Sequence, residues 1–106
     1  MDLEVSSMQM ILHSGNSRND SYEAIKLAKQ KKFDEANEKI KSSVEELLLA
    51  QKEHASVLRD LAESGVMDAN LLLVHAEDHV SVSEMSLDMA KEIIDLYMVV
   101  GGVKEF

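Results

Sequence analysis

The sequence has no cysteine, no proline and no tryptophan among its 106 residues. Without cysteine there is no disulfide framework, no thiolate zinc site and no thiol nucleophile. Without proline, nothing obliges a long helix to stop. Glycine occurs only four times, and the rest is rich in Leu, Ala, Glu, Lys, Met and Gln, which favour helix. No uncharged apolar run approaches the roughly 20 residues that span a bilayer. The opening Met1-Asp2-Leu3-Glu4 is acidic, unlike the basic start of a secretory leader, so none is expected and the cytoplasm is the simplest location. Basic residues are outnumbered: Lys and Arg total 11 against 20 Asp and Glu, for a formal charge of -9. So acidic a surface repels nucleic acid and anionic lipid, and neither is expected as a partner. The length fits a single domain over residues 1–106, and the composition predicts an all-α chain.

Apolar spacing predicts three long antiparallel helices, at about residues 3–30, 34–64 and 69–98, with a flexible tail over 99–106. In the first, Val5, Met8, Ile11, Leu12, Tyr22, Ile25 and Leu27 flank the small polar run Ser14-Gly15-Asn16-Ser17-Arg18-Asn19-Asp20-Ser21. That run reads as a turn, or as a pinch point where small side chains admit another helix; a continuous helix is the favoured reading. Lys31-Lys32-Phe33 makes the first break, with Asp34 as the expected cap of the second helix. Gly65 is suited to end that helix, and Asp68 to cap the third. The seven Met residues read as core filler.

Rods of about 30 residues are about 45 Å long, so three of them in one small chain make a thin bundle with a modest core. The third helix is apolar on more than one side, from Leu71-Leu72-Leu73-Val74 through Val80, Val82, Met85, Leu87 and Met89 to Ile93 and Ile94. A helix apolar nearly all round needs cover nearly all round. Three helices cannot supply it, which predicts a homo-oligomer with this helix near the symmetry axis.

Polar residues interrupt that helix at Leu73-Val74-His75-Ala76-Glu77-Asp78-His79. His75 and His79 share one face, and Asp78 is three residues from His75. Asp78 also falls in the apolar stripe of Leu71, Val74, Val82, Met85 and Met89, where an unpaired charge is costly. It must be paired, neutralised or bound to a cation. The histidine-pair protease motif is excluded, because Ala76 stands where that motif needs Glu. Three readings remain on these residues alone. The histidines are two satisfied interface residues beside an Asp that fixes register, or a zinc pair awaiting a third ligand, or a nucleophilic histidine with a neighbour. His54, within Gln51-Lys52-Glu53-His54, reads as solvated, and His13 as an ordinary interface residue.

Leu71-Leu72-Leu73-Val74-His75-Ala76-Glu77-Asp78-His79 resembles the active-site helix of the enzyme IIA components of the lactose/cellobiose class of the bacterial phosphotransferase system, whose run is close to L-L-x-V-H-A-Q-D-H. Ile11-Leu12-His13-Ser14-Gly15-Asn16-Ser17-Arg18 is similar to the family's first-helix pattern, and Ala24–Lys29 and Phe33-Asp34-Glu35-Ala36 to the flanks of its first turn. The resemblance implies a homotrimeric nine-helix bundle with the third helices at the axis. It implies a phosphoryl group carried on Nε2 of His75, taken from the phosphohistidine carrier HPr and passed to a cysteine of a IIB component during uptake of a β-linked disaccharide. It places Asp78 among three carboxylates around an axial divalent cation, expected to be magnesium, and His79 within hydrogen-bonding reach of the phosphoryl group. Glu77 departs from the family's usual Gln. That departure keeps open a non-catalytic helical bundle with a regulatory or interaction role.

Overall fold

The computed structural model describes residues 2–65 and 70–105. They form three helices, α1 (Leu3–Lys29), α2 (Phe33–Ser64) and α3 (Leu71–Val100), with no strand. Packed side by side, they give a rod of 55 × 22 × 18 Å.

The helix ends follow local chemistry. The Asp2 side chain accepts a hydrogen bond from the Val5 amide at 3.2 Å and caps α1, satisfying one of the donors that every helix start leaves without an internal partner. At its other end Lys31 adopts a left-handed φ of 62°, and the Lys32 amide returns to the Leu27 carbonyl at 2.9 Å. The expected cap of α2 is corrected. Its N-cap is Lys32, with no side-chain bond, and Asp34 lies inside the first turn, where its charge favours the positive dipole end. Gly65 closes α2 as expected, at φ 69° with its amide on the Leu61 carbonyl. Asp68, expected to cap α3, lies outside the described residues; the cap observed is Asn70, whose side chain accepts from the Leu73 amide at 3.0 Å. At the far end α3 continues two residues past the expected boundary, to Val100. The segment expected to be a loose tail folds back, with the Val103 and Lys104 amides on the Met98 carbonyl and the Lys104 ammonium on Asp95.

α1 is continuous through the small polar run, and the pinch is made by serines, not by glycine. Ser14, Ser17 and Ser21 are fully buried, whereas a Cβ added at Gly15 would meet nothing within 4 Å. Ser17 and Ser43 exchange hydroxyl-to-carbonyl bonds at 2.9 and 2.7 Å across α1 and α2. The Ser21 hydroxyl joins the Ser43 hydroxyl at 2.8 Å. This layer separates two apolar clusters. One is built on Met10, Leu47, Val57, Leu73, Val80 and Leu87, the other on Ala24, Ala28, Ala36 and Ile94. Short side chains keep the backbones close, and the hydroxyls of Ser17, Ser21 and Ser43 bond to one another or to carbonyls, which offsets the cost of burying them, whereas the buried Ser14 hydroxyl has no partner among the described residues.

The apolar excess of α3 is confirmed as exposure. In one chain Leu71 is 83 % exposed and Met85 69 %, with Val74, Val82 and Met89 about half exposed. The methionines divide, correcting their reading as core filler: Met10 is buried, while Met8, Met85 and Met89 face outward.

Candidate functional site

The histidine motif lies on the first turns of α3, beyond the Asn70 cap. Leu73, Ala76 and Val80 of that stretch are buried against the bundle, which orients the remaining faces. His75 and Asp78 point outward and His79 is half-buried. One turn apart, the two histidines meet edge to face, with ring centroids 4.6 Å apart and their Nε2 atoms at 3.1 Å. Two neutral imidazoles can make that contact only if one nitrogen carries the proton and the other offers a lone pair.

His79 is suited to stay neutral. Burial pushes its proton affinity below that of an ordinary histidine, and the positive ends of His75 and Arg18 push the same way, against a smaller opposing pull from Asp78. Its other nitrogen, Nδ1, is buried with no hydrogen-bond partner among the described residues. A second proton there would have no acceptor. The contact therefore shows which His75 nitrogen is held: the bond falls on Nε2 itself.

Glu77 faces the other way. Its Oε2 lies 2.7 Å from Nε2 of His54 on α2, and the two side chains are 36 % and 26 % exposed. The expectation that His54 is merely solvated is thus corrected. Glu77 stands about 160° around α3 from His75, at 100° per residue, so within one chain its charge is directed into the α2–α3 seam. Beside it, Gln51 donates to Glu84 at 3.0 Å. His13 is an interface residue as expected, its Nδ1 at 2.6 Å from Glu46 of α2, with Asn16 on the same carboxylate oxygen.

Asp78 takes part in no ion pair with another described residue and projects between the exposed Val74 and Val82. Among the described residues of one chain, no three His, Asp or Glu groups are disposed to hold a metal ion. The zinc reading of His75 and His79 therefore finds no third ligand there.

The residue that sequence reasoning did not single out as functional is Arg18. It is half-buried on α1, on the side that meets α3, close enough for its charge to act on His79. Its sequence signals are a lone cation within the small polar run Ser14–Ser21 and its place at the end of the Ile11–Arg18 pattern. Further along the same seam, Tyr22, Ile25, Val82, Met85 and Met89 line an open apolar groove of about 380 Å³.

Comparison with known proteins agrees with this fold. Residues 5–98 match the family model described as the lactose/cellobiose-specific IIA subunit of the phosphotransferase system. The lichenan-specific phosphotransferase enzyme IIA component of Bacillus subtilis is 38% identical over 96 residues, 91% of this chain and 87% of the relative. The N,N'-diacetylchitobiose-specific EIIA component of Escherichia coli K12 is 33% identical, over 91% of this chain and 83% of the relative. Among solved structures, the cellobiose-specific enzyme IIA of Bacillus anthracis superposes with a TM-score of 0.89 at 30% identity, over 98% of this chain and 96% of that one. The three-helix rod is the fold of a phosphotransferase component, and this chain belongs to the lactose/cellobiose-specific IIA family of the phosphotransferase system.

Proposed function

We propose that the protein carries a phosphoryl group on Nε2 of His75, between the phosphohistidine of HPr and a cysteine of a IIB component. The observation that carries this reading is the Nε2-to-Nε2 contact at 3.1 Å beside a His79 that resists a second proton. In that pair His79 supplies the N–H and His75 the lone pair. As the donor phosphorus comes into line, the His79 N–H turns off that lone pair, which attacks as the donor P–N bond breaks, and the electrons of that bond return to the donor imidazole. The transition state is loose and needs positioning more than covalent help. Once the phosphoryl group is in place, the His79 N–H turns to one of its oxygens. Transfer onward reverses these roles, with the cysteine sulfur as the attacking atom.

The substrate class is a β-linked disaccharide or short oligosaccharide. Lichenan, cellobiose and N,N'-diacetylchitobiose in the names of the relatives support it. No helix among the described residues is long and apolar enough to cross a membrane, which suits a cytoplasmic carrier serving a separate membrane component.

Assembly as a homotrimer covers the exposed α3 stripe. Around a threefold axis the Asp78 carboxylates of three copies meet, and like charges there repel unless a cation is shared. Asp78 suits that position, being an outward carboxylate with no ion-pair partner among the described residues within an apolar stripe. Oxygen donors of this kind suit magnesium, which would supply charge neutralisation at the axis.

Incubation with phosphoenolpyruvate and the general phosphotransferase proteins should add one acid-labile phosphate per chain. Undiminished labelling of His75→Ala would refute the assignment.

A further inference from the structure

A phosphoryl group on His75 brings about two negative charges into a chain that is already strongly acidic. His79, whose Nε2 lies 3.1 Å from Nε2 of His75, can offer it one N–H. Some cation must answer the rest. The other basic residues of α1, Lys26 and Lys29, lie about two and three turns beyond Arg18, in the last turn of the helix.

Arg18 is placed differently. The Ser83 hydroxyl donates to the Ser14 carbonyl at 2.7 Å, in a fully buried bond between α3 and α1. Arg18 is one turn after Ser14, and His79 one turn before Ser83. Helical side chains lean toward the N-terminus of their helix, so the guanidinium reaches back toward the His79 turn. Among the described residues no carboxylate forms an ion pair with it. A half-buried guanidinium without a counter-ion is unusual in a chain with 20 carboxylates, because desolvating a charge without a partner is costly. Arg59, which also lacks an ion pair among the described residues, is exposed on α2 and bears less of this cost.

We propose that Arg18 is the phosphoryl-binding cation of this site, its guanidinium engaging the terminal oxygens of the group carried on His75. The planar fork suits a phosphoryl group in a way that an ammonium does not. Arg18 then acts in both half-reactions, because the same oxygens bear the charge when the group arrives and when it leaves. The inference rests on the phosphocarrier reading of His75.

The test compares Arg18→Gln and Arg18→Lys with wild type in three measurements: rate of phosphorylation by the upstream carrier, phosphorus NMR titration of the phosphorylated protein, and assembly state. Arg18→Gln should slow phosphorylation roughly 10- to 100-fold, the range for one lost charge-assisted contact. It should also move the phosphoryl titration midpoint upward, since a neighbouring cation favours the more highly charged form. Arg18→Lys, which keeps charge without the fork, should restore the midpoint more fully than the rate. Wild-type rate and midpoint in Arg18→Gln would overturn the role of Arg18 and leave the His75 reading standing. Loss of assembly with an unmoved midpoint would also overturn it, making Arg18 an ion-pair partner of a neighbouring copy. Failure of wild type itself to accept phosphate would overturn both.

Discussion

Glu77 and His54 offer a direct test of how a carboxylate is accommodated two residues from the histidine proposed to carry phosphate. The pair spans α3 and α2 at 2.7 Å with both side chains about one-third exposed. Fully exposed pairs contribute about 0.2–1 kcal/mol, and hydrogen bonds to charged groups about 1.5–3 kcal/mol. Partial burial and residual screening put this pair near 1 kcal/mol. A double-mutant cycle over His54→Gln, Glu77→Gln and the double variant isolates the coupling. Urea unfolding at fixed protein concentration is the appropriate assay, because the proposed assembly would make apparent stability concentration-dependent. In a thermal scan the same energy is a shift of about 4–8 °C for a chain of this size. Raised salt should shrink the coupling without abolishing it. A coupling below about 0.3 kcal/mol would refute the reasoning, and Glu77 would then be free to turn elsewhere.

Three further outcomes follow from particular contacts. Ser43→Ala removes a hydroxyl bonded to Ser17 and Ser21 in a fully buried layer and should destabilise by about 1–3 kcal/mol, measured by urea unfolding; a smaller loss than Ser42→Ala, whose hydroxyl meets only the Asp20 carboxylate, would contradict the layer's role. His79 should titrate below the ordinary value of 6.5 in proton NMR. In the window between its folded midpoint and 6.5 the unfolded chain binds more protons, so this group's contribution to stability is present above 6.5 and lost as pH falls through the window; a midpoint above 6.5 in the unphosphorylated protein would contradict the burial argument. Asp78→Leu should keep or strengthen a trimer without added metal, seen by analytical ultracentrifugation, whereas a monomeric variant would count against an axial Asp78.

The long elements were readable because their signals add up over many residues: no proline, two weak breaks and apolar steps of three and four. The histidine turn was readable because a carboxylate and two imidazoles stand out in an apolar helix. What escaped depended on partners distant in sequence. His54 reads as solvated beside Lys52 and Glu53, yet its partner is Glu77, 23 residues on. Asp34 has the chemistry of a cap, but the left-handed turn at Lys31 starts the helix early enough to place it inside. The small polar run Ser14–Ser21 reads as a turn or a pinch, and which of its residues make the close approach depends on α2 and α3: they are Ser14, Ser17 and Ser21.

Those serines explain why the site sits where it does. A wider α1–α3 seam filled with Leu or Ile would bury more apolar surface but hold Arg18 further from the His79 turn. The Ser83–Ser14 bond brings the two helices together one turn from Arg18 on α1 and one turn from His79 on α3. Burial at this seam also strips water from His79 and lowers its proton affinity. Lengthening one seam side chain should therefore weaken phosphoryl transfer without touching a reacting atom. Ser83→Val is the sharpest form of this expectation. It removes the hydrogen bond and adds volume at a fully buried position, which typically costs about 1–3 kcal/mol in stability. The spreading of α1 from α3 should also raise the His79 midpoint toward 6.5 by admitting water. A folded Ser83→Val protein with an unchanged His79 midpoint and wild-type phosphorylation would show that the seam does not control the site.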